Sequence, residues 1–480
     1  MPRGQSGIVT LVEALKKSAL PPISTRRRTP RGYLRHFQPV LREPSPIATT
    51  IDPDLTEVDG ECVARYGNVT LRTHFQPIYS LSHRRVVGHE ALLRARDPSG
   101  LPISPPALFD RCRTIEELRR LDWLGSLTHC ANFGRAQRPD EWLFLNVHPG
   151  TFAGSFNGKR FDLRTLFGDA IGLKPQQIVI EVLEDAMAGV PEFEAEVVRL
   201  RELGCLIALD DFGAGHSNFD RVWRLRPDIV KLDRSVIVRA ASDRGVRRVT
   251  SQMVSMLHEC GSLVLMEGIE TADEAHIALE SDVDFVQGYY FGFPQARLTA
   301  PKSRCEPLES AWDLFDERWT ADRNQYRARI APYRHAVAGA AKMLGAGVAT
   351  EDACREFLDL ANAETAYLLD ADGFQVGRNI YARSVATGPD SLHKPARYAP
   401  LRDTRNARWS RRPYFRRALN SIGEVQVTRP YLTMQSSRLC VTVSMSFRLN
   451  GQTLIVCGDV IWEESSDSPI FAATGNAAIL

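Results

Sequence analysis

The chain has 480 residues, of which 44% are hydrophobic and 25% are charged, and its formal net charge is +2. This length is sufficient for two or three domains with a large buried core. The near-neutral charge argues against a polyanionic partner for the chain as a whole. The nine cysteines are scattered singly, which argues against a disulfide framework or a zinc site and favours a reducing compartment.

The sequence shows no apolar run that approaches the ~20 residues needed for a membrane-spanning helix. Its first apolar stretch is interrupted by Glu13, Lys16 and Lys17, and so lacks the core of a signal peptide. We therefore expect a cytoplasmic protein without a membrane span.

Residues 1–60 are rich in proline and arginine and include the run Arg26-Arg27-Arg28. This composition predicts a flexible basic leader with a short helix over residues 8–20. Arginine-rich tails of this kind can bind nucleic acid or anionic lipid. A solvated linker explains the same composition more simply, and we expect no nucleic-acid partner.

Residues 66–300 alternate short apolar runs with amphipathic stretches of helical period. The predicted strands are Leu71 to Ile78, Val86 to Leu92, Trp142 to Val147, Ile178 to Val182, Leu206 to Leu209, Ile229 to Leu232, Leu263 to Met266 and Phe285 to Val286. The predicted helices include Ser104 to Thr114, Glu116 to Phe133, Phe193 to Leu203 and Arg244 to Glu259. Repeated strand-then-helix units over ~235 residues predict an α/β fold, a TIM-like (β/α)8 barrel, in which chemistry occurs at the C-terminal ends of the strands.

The barrel strands end in polar side chains, which are carboxylates and amides together with one lysine. These are Glu90, Asn146, Glu181, Asp210, Asp211, Lys231, Glu267 and Gln287. Acidic groups at the ends of apolar runs are costly unless a cation lies among them. Carboxylate and amide oxygens favour hard divalent ions such as Mg²⁺ or Mn²⁺. The additional lysine indicates phosphate chemistry rather than metal storage.

The segment Asp210-Asp211-Phe212-Gly213-Ala214-Gly215 is the most specific single motif. Two adjacent aspartates after a strand repel each other unless a cation lies between them. A capped helix N-terminus is the alternative, but it ordinarily uses one aspartate rather than two. Each polar residue also has an ordinary interpretation by itself: Lys231 as a surface lysine, Asn146 as a turn residue, Glu270 as a helix cap and Arg94 as a solvated side chain. The ordered set outweighs these separate interpretations.

This set of motifs resembles the EAL domain, the family of cyclic-di-GMP phosphodiesterases. The motifs, in chain order, are Gln76-Pro77-Ile78, Glu90-Ala91-Leu92-Leu93-Arg94, Asn146-Val147-His148-Pro149, Glu181-Val182-Leu183-Glu184, Asp210-Asp211-Phe212-Gly213-Ala214-Gly215, Lys231-Leu232-Asp233, Glu267-Gly268-Ile269-Glu270 and Gln287-Gly288-Tyr289-Tyr290-Phe291-Gly292-Phe293-Pro294. The match covers about half of the chain, and eight motifs in order make it specific.

The resemblance implies two divalent ions, Mg²⁺ or Mn²⁺, and a role for each matching residue. The metal ligands would be Glu90, Asn146, Glu181, Asp210, Asp211 and Glu267. Lys231 would assist deprotonation of the attacking water, Gln287 would orient waters, and Glu184 would support the Asp-Asp-Phe-Gly loop. Glu267 is also counted among the catalytic residues. Substrate would contact Gln76, Leu93, Arg94 and Pro294, with the Arg94 guanidinium on a phosphate. The same resemblance implies a homodimer.

Residues 305–362 predict a helical linker, and strand signals return from Ala363 onward. The predicted strands here are Thr365 to Leu369, Gly423 to Val427, Leu439 to Phe447 and Thr453 to Trp462, with a turn at Asp370-Ala371-Asp372-Gly373. They predict a small α+β domain over residues 363–470. The segment Trp409-Ser410-Arg411-Arg412-Pro413-Tyr414-Phe415 and a late aspartate, Asp459, resemble PAS-like or Cache-like sensor folds.

This second resemblance implies a small carboxylate or amine ligand held by Trp409, Arg412, Tyr414 and Asp459. The alternative is a scaffold domain that only dimerises, with these aromatic residues in its core.

Two functions follow from the sequence. The first is metal-dependent hydrolysis of cyclic di-GMP to linear pGpG, regulated by the C-terminal domain. The second is an EAL-like receptor that binds cyclic di-GMP without hydrolysing it and acts through partners.

Overall fold

The structure is a computed structural model and describes residues 52–147, 155–156, 159–160, 163–166, 171–183, 191–215, 219–301, 304–383, 404–433 and 438–462. The predicted helix over residues 8–20 and most of the predicted leader lie outside the described residues. The described chain begins with a hairpin, β1 and β2, whose first strand Leu55–Val58 falls inside the segment predicted as leader. Arg120 pairs with Asp52 and Asp54 and fixes the start of this hairpin.

The strands of the first sheet are β1 Leu55–Val58, β2 Glu61–Tyr66, β3 Val69–Ser80, β4 Arg85–Arg96, β5 Pro102–Ile103, β6 Trp142–Asn146, β9 Ile178–Leu183, β10 Leu206–Phe212, β11 Ile229–Leu232, β12 Leu263–Met266 and β13 Phe285–Val286. Between β6 and β9 lies a separate pair, β7 Ser155–Phe156 and β8 Lys159–Arg160. All eight predicted barrel strands are present.

Eight of these strands close into a barrel in the order β3-β13-β12-β11-β10-β9-β6-β4, and β4 pairs back onto β3. The predicted barrel fold is therefore confirmed, with one feature that the strand-then-helix rhythm does not predict. Strand β3 runs antiparallel to both of its neighbours, β4 and β13. The connection from β3 to β4 is only residues 81–84, which is long enough for a hairpin but too short for a parallel crossover.

The helices around the barrel are α1 Pro105–Phe109, α2 Ile115–Arg135, α3 Pro191–Leu203, α4 Phe219–Leu225, α5 Arg234–Ser242, α6 Arg244–Glu259 and α7 Ala272–Glu280. The predicted helix Ser104 to Thr114 is shorter than expected. Ser104 caps α1, whereas Thr114 caps the next helix by accepting a hydrogen bond from the Glu117 amide. Two capping threonine or serine residues ten positions apart thus divide the segment into two helices.

A single helix, α8 Glu306–Gly345, follows the barrel, and the short helices α9 Thr350–Ala353 and α10 Arg355–Leu358 come next. The C-terminal sheet contains β14 Ala363–Asp370, β15 Gln375–Tyr381, β16 Gln426–Val427, β17 Tyr431–Leu432, β18 Leu439–Leu449 and β19 Gln452–Ile461, with helix α11 Pro413–Asn420. Its strand pairings among the described residues are all antiparallel. The predicted turn joins β14 to β15, and Asp370 Oδ1 accepts hydrogen bonds from the amides of Asp372 and Phe374.

The buried apolar residues form separate cores. One surrounds the barrel and includes Leu308 and Ala311 of α8, whereas another joins the C-terminal sheet to the later part of α8, from Tyr326 to Leu344. The division into leader, barrel, linker and C-terminal domain stays a prediction. Within the described ranges, no helix is both long and apolar enough to cross a membrane.

Candidate active site

The candidate site is built on a layer of apolar side chains that fills the barrel. This layer consists of Ile78, Phe144, Val179, Ala208, Ile229, Leu265 and Phe285, each from a different strand. Because side chains two positions apart lie on the same face of a strand, the next inward layer is fixed by these residues. Two positions further along the six parallel strands of the layer stand Asn146, Glu181, Asp210, Lys231, Glu267 and Gln287.

On β3, which runs antiparallel to its neighbours, the same two-residue spacing applies in the opposite chain direction. Two positions before Ile78 stands Gln76, which is paired across the sheet with Glu90 of β4. The polar residues predicted at the strand ends therefore belong to one ring above one apolar layer. An apolar barrel floor below this ring leaves its charges with few partners other than one another.

Lys231 lies at the centre of this ring and is 1% exposed. Its Nζ is 2.5 Å from Glu181 Oε1, 2.7 Å from Glu267 Oε1, 3.1 Å from Asp210 Oδ1 and 4.0 Å from Glu90 Oε1. Burial opposes the charge of this ammonium group, but the four carboxylates outweigh that cost and hold the pKa of Lys231 well above its usual value.

Glu90 is held by two amides. The Nδ2 atom of Asn146 donates to Glu90 Oε1 at 2.9 Å, and the Nε2 atom of Gln287 donates to Glu90 Oε2 at 2.7 Å. The Gln287 oxygen has no hydrogen-bond partner although it is buried. This carboxylate is thus fixed by neutral donors, whereas Glu181 and Glu267 pair closely with the lysine.

The acidic ring carries more negative charge than Lys231 neutralises. Burial raises the pKa of Glu181 well above its usual value against the opposing effect of Lys231. Burial likewise raises the pKa of Glu267 to about 8. Glu181 Oε2 is buried without a hydrogen-bond partner, whereas Glu181 Oε1 and Glu267 Oε1 pair with the Lys231 ammonium group. Four carboxylates around one ammonium group leave a site that attracts further positive charge.

The last residues of β10 have a distorted backbone. Asp211 has φ 58, a left-handed conformation that is uncommon for residues other than glycine, and the pairing of β10 with β11 shifts register between Leu209 and Phe212. The amide of Asp211 donates to Asp210 Oδ1 at 2.9 Å. As a result Asp210 lies 7% exposed in the ring, and Asp211 is exposed beside it.

Residues 267–271 connect β12 to α7 and carry two acidic residues, Glu267 and Glu270. Arg234 pairs with Glu270 at 2.8 Å and also contacts the carbonyl of Gly268. The side chain of Glu274 accepts hydrogen bonds from the amides of Glu270 and Thr271, at 2.7 and 3.1 Å. Glu270 is exposed and pairs with arginine, rather than merely capping the helix that follows.

A cavity of about 310 Å³ opens beside the acidic ring. Its lining includes Leu93, Arg94, Asn146 and Glu181. On the other side of the mouth, Gln76 Nε2 donates to the carbonyl of Gly292 at 3.2 Å, which holds the segment leading to Pro294 against β3. Leu93 and Arg94 thus line the cavity beside the ring, whereas Glu184 lies outside the described residues.

Helix α2 supplies cavity-lining residues that the sequence interpretation missed. Asp122, Ser126 and His129 line the cavity and are all buried. His129 Nδ1 is 2.7 Å from the Thr73 hydroxyl, and its burial lowers the pKa of His129 to about 3. The signal was present in the sequence, because positions 122, 126 and 129 follow the i, i+4, i+7 spacing of one helix face.

The donor set suits hard divalent ions, since it consists of carboxylate and amide oxygens with unsatisfied buried acceptors. In the present arrangement the Lys231 ammonium group lies among these oxygens. The described residues include no group of three His, Cys, Asp or Glu side chains already spaced to hold a metal. The chemistry of the residues therefore fits metal ions, and the spacing requires Lys231 and its neighbours to move apart.

The four predicted ligand residues of the C-terminal domain border one small cavity. It has a volume of about 30 Å³ and is lined by residues that include Trp409, Arg412, Tyr414 and Asp459. Asp459 is 7% exposed and accepts a hydrogen bond from the Thr442 hydroxyl at 2.7 Å. Burial raises the pKa of Asp459 to about 7. The Arg412 guanidinium lies 5.8 Å from the ring centre of Tyr431.

Fold and site together define an α/β barrel with an acidic mouth. A family model described as EAL domain matches residues 65–294. The barrel strands β3 to β13 fall within this range. This part of the chain therefore agrees with the EAL domain both in its motifs and in its fold.

Three relatives each match about half of the chain. Cyclic di-GMP phosphodiesterase RocR of Pseudomonas aeruginosa is 28% identical over 236 residues, which are 47% of this chain and 58% of the relative. Cyclic di-GMP phosphodiesterase PdeF of Escherichia coli is 27% identical and matches 49% of this chain and 31% of its own length. An uncharacterized protein of Azorhizobium caulinodans is 29% identical over 54% of this chain and 36% of its own length. The chain thus spans less than two thirds of these relatives.

One solved structure resembles the chain beyond the barrel. It is the Bacillus subtilis YkuI protein, with an EAL domain, in complex with substrate c-di-GMP and calcium. The TM-score is 0.65 at 20% identity, over 82% of this chain and 97% of that chain. At this identity the likeness shows a shared fold. Because the coverage exceeds the barrel, the shared fold includes part of the chain that follows it.

Proposed function

We propose that the barrel hydrolyses cyclic di-GMP to linear pGpG with the help of two divalent ions, Mg²⁺ or Mn²⁺. The observation that supports this most directly is the ring of four carboxylates around Lys231, whose excess negative charge attracts cations. The names of the relatives RocR and PdeF support the substrate.

The oxygen donors that would hold the ions are those of Glu90, Asn146, Glu181, Asp210, Asp211 and Glu267. Bound divalent ions supply positive charge at a phosphodiester and make water more acidic. Asn146 and Gln287 fix the orientation of Glu90, because both amides donate to it. The apolar layer below the ring excludes water from the barrel floor.

In the reaction, a water oxygen forms a bond to one phosphorus atom and the bond from that phosphorus to a ribose oxygen breaks. The water loses a proton, and the released ribose oxygen takes up a proton to become a hydroxyl group. Lys231 donates a hydrogen bond to the attacking water and stabilises its deprotonated form. The Arg94 guanidinium, which borders the cavity, pairs with a phosphate oxygen of the substrate. Gln76, Leu93 and Pro294 form the walls around the dinucleotide, and Glu184 supports the loop at Asp211.

The second function, a receptor that does not hydrolyse cyclic di-GMP, is favoured by one observation. Lys231 already occupies the space between the carboxylates, and the described residues hold no ready metal geometry. If the lysine stays there when cyclic di-GMP binds, the ring cannot take up the ions that hydrolysis requires.

Turnover by the purified full chain decides between these functions. With Mg²⁺ or Mn²⁺, we expect conversion of cyclic di-GMP to pGpG, measured by chromatography. Glu90→Ala and Lys231→Ala should each lower the rate by at least ~10²-fold while the protein stays folded. Glu259→Ala, at an exposed position at the end of α6, is the matched control and should retain the wild-type rate. Substrate that binds but stays intact would establish the receptor.

For the C-terminal domain, we propose a PAS-like or Cache-like sensor that binds a small carboxylate or amine and regulates the barrel. The buried Asp459 and the Arg412 guanidinium offer opposite charges around the cavity. Free amino acids and small amines serve as probes, and thermal shift is the readout. We expect a shift with the wild type that Asp459→Ala abolishes; a shift of equal size in the variant would contradict the assignment.

We further propose a homodimer, on the basis of the family resemblance. Sedimentation of the full chain at several concentrations tests it, and a single species with the mass of one chain would exclude it.

A further inference from the structure

A histidine on the outer face of β4 lies directly before Glu90 of the acidic ring. His89 is 0% exposed, and its ring centre is 6.3 Å from that of Phe75 and 6.4 Å from that of Phe133. Because successive side chains of a strand point to opposite faces, His89 points away from the ring to which Glu90 belongs. The proposed hydrolysis therefore has no direct use for this buried imidazole.

Two chain segments outside the barrel wall supply the polar partners of His89. Its Nε2 atom accepts a hydrogen bond from the Thr299 amide at 3.2 Å, and its Nδ1 atom lies 3.3 Å from Glu141 Oε2. An amide N–H group can only donate, so Nε2 carries no proton and the proton of the neutral ring is on Nδ1, which faces Glu141. Glu141 is 7% exposed, so this contact lies in the protein interior.

Arg138 holds Thr299 from the other side. Its guanidinium donates to the Thr299 carbonyl at 3.2 Å and to Glu141 Oε1 at 3.4 Å. Gln177 in turn donates to the carbonyls of Arg138 and Glu141, at 2.8 and 3.4 Å. The N–H and C=O groups of Thr299 are thus both bound by side chains, although Thr299 belongs to no helix or strand. We call the group of His89, Arg138, Glu141 and Thr299 the clamp.

The clamp fixes one end of the segment that leads from the barrel mouth towards α8. Residues 292–299 form this segment, which we call the strap. Nearer the mouth, Phe75 of β3 and Gln295 exchange two backbone hydrogen bonds of 2.7 and 3.0 Å. Pro294 directly precedes this pair, and Thr299 follows it by four residues. The part of the strap next to Pro294 is therefore held by β3 and, further along the chain, by the clamp.

We propose that His89 is a positioning residue, which holds the strap through the clamp and so keeps Pro294 in place as a wall of the substrate site. Without the clamp, substrate has to order the strap when it binds, and this cost weakens binding. Glu90 stays fixed by the amides of Asn146 and Gln287, so the chemical step is little affected. The effect on substrate rests on the proposed function of the barrel, whereas the clamp itself does not.

Steady-state kinetics of the full chain with Mn²⁺ compare the wild type with His89→Phe. Phenylalanine fills the space beside Phe75 and Phe133 but cannot accept a hydrogen bond from the Thr299 amide. We expect the KM for cyclic di-GMP to rise about 3- to 10-fold and kcat to change by less than about 2-fold. A lower kcat with an unchanged KM, or no change in either constant, would overturn the positioning role.

Two amide variants separate the hydrogen bond from the filling of space. The side-chain oxygen of glutamine can reach the position of Nε2, whereas that of asparagine, one CH₂ group shorter, reaches only the position of Nδ1. His89→Gln should therefore keep KM within about 2-fold of the wild type, and His89→Asn should raise it as His89→Phe does. Equal KM values in the two amide variants would contradict the role of the Thr299 hydrogen bond. His83→Phe, at an exposed histidine between β3 and β4, is the control and should leave both constants unchanged.

Hydrogen exchange at the Thr299 amide measures the clamp without turnover. This amide should exchange at least ~10-fold faster in His89→Phe and His89→Asn than in the wild type and His89→Gln. The Val264 amide in β12, which donates to the Asp284 carboxylate, is the control and should exchange equally in all four proteins. Equal exchange of the Thr299 amide in all four would refute the clamp.

These measurements separate a failure of the clamp from a failure of the proposed function. Absence of turnover from every protein, the wild type included, would count against hydrolysis. The dissociation constant of cyclic di-GMP, measured by titration calorimetry with Ca²⁺, should then show the same rise of about 3- to 10-fold in His89→Phe. An unchanged dissociation constant would overturn the positioning role, and exchange at Thr299 judges the clamp in either case.

Discussion

Lys231 is a buried cation whose charge is stabilised by its acidic neighbours. Those carboxylates are in turn stabilised by the charge of Lys231. Removing the ammonium group leaves Glu181, Asp210 and Glu267 buried without it. Breaking one partner out of a buried ion-pair network costs about 3–5 kcal/mol. The ring should tolerate that loss if another cation takes the place of the lysine.

We therefore expect Lys231→Met to make the stability of the protein depend on divalent metal. In EDTA the free energy of unfolding should fall by about 3–5 kcal/mol relative to the wild type, and excess Mn²⁺ should restore most of it. Thermal or urea unfolding measures both values. Lys174→Met, at an exposed lysine, should change neither. A loss in Lys231→Met that Mn²⁺ does not reduce would show that the ring holds no metal.

The members of the ring could be predicted from the sequence because the signal has a simple period. Six of the polar residues stand two positions after an apolar barrel residue, as Lys231 follows Ile229 and Glu267 follows Leu265. The sequence does not reveal which neighbour each carboxylate takes. That Glu90 is held by amides while Glu181 relies on Lys231 depends on which strands are adjacent in the closed barrel.

Helices and strands were predicted well where the hydrophobic period and the length of a segment indicated the same element. They were predicted poorly where tertiary contacts decide the local structure. Strand β15 was missed, since its residues include Gly377 and Arg378 and most of its side chains are at least partly exposed at the edge of the sheet. Helix α8 runs unbroken through Pro332, which has no amide hydrogen to donate. Burial of Ile330 and Tyr333 on either side of this proline stabilises the helix there.

Two glycines on neighbouring elements should respond to alanine with opposite signs. Gly458 in β19 faces Phe357 of α10, and a Cβ atom there would lie 2.4 Å from the Phe357 ring. Gly339 in α8 has its nearest such contact at 3.7 Å, an ordinary van der Waals distance. Gly458→Ala should lower the free energy of unfolding by about 1–3 kcal/mol, and Gly339→Ala should raise it by about 0.5–1 kcal/mol.

Urea unfolding of the full chain measures both effects. Adding Phe357→Leu to Gly458→Ala should recover part of the loss, because the smaller side chain leaves room for the new methyl group. Two alanine variants that change stability in the same direction would contradict the packing described around these glycines.

At the scale of the whole molecule, α8 is the element that both cores share. The barrel core uses its first turns, and the C-terminal core uses the part from Tyr326 onward. Phe315 still packs against the barrel core, and between Phe315 and Tyr326 the only buried residue of α8 is the charged Asp322. Since cooperative unfolding requires continuous burial, this interruption allows the two cores to unfold separately.

Calorimetry of the full chain should therefore show two thermal transitions. Ligands that bind only folded protein raise the melting temperature of the unit that holds them. Mn²⁺ at 100 times its dissociation constant should stabilise the barrel transition by about 2.7 kcal/mol and leave the other unchanged. Gly458→Ala, which lies in the C-terminal sheet, should lower only the second transition and so identifies it. One transition that moves as a whole with Mn²⁺ would mean that α8 joins the two cores into a single cooperative unit.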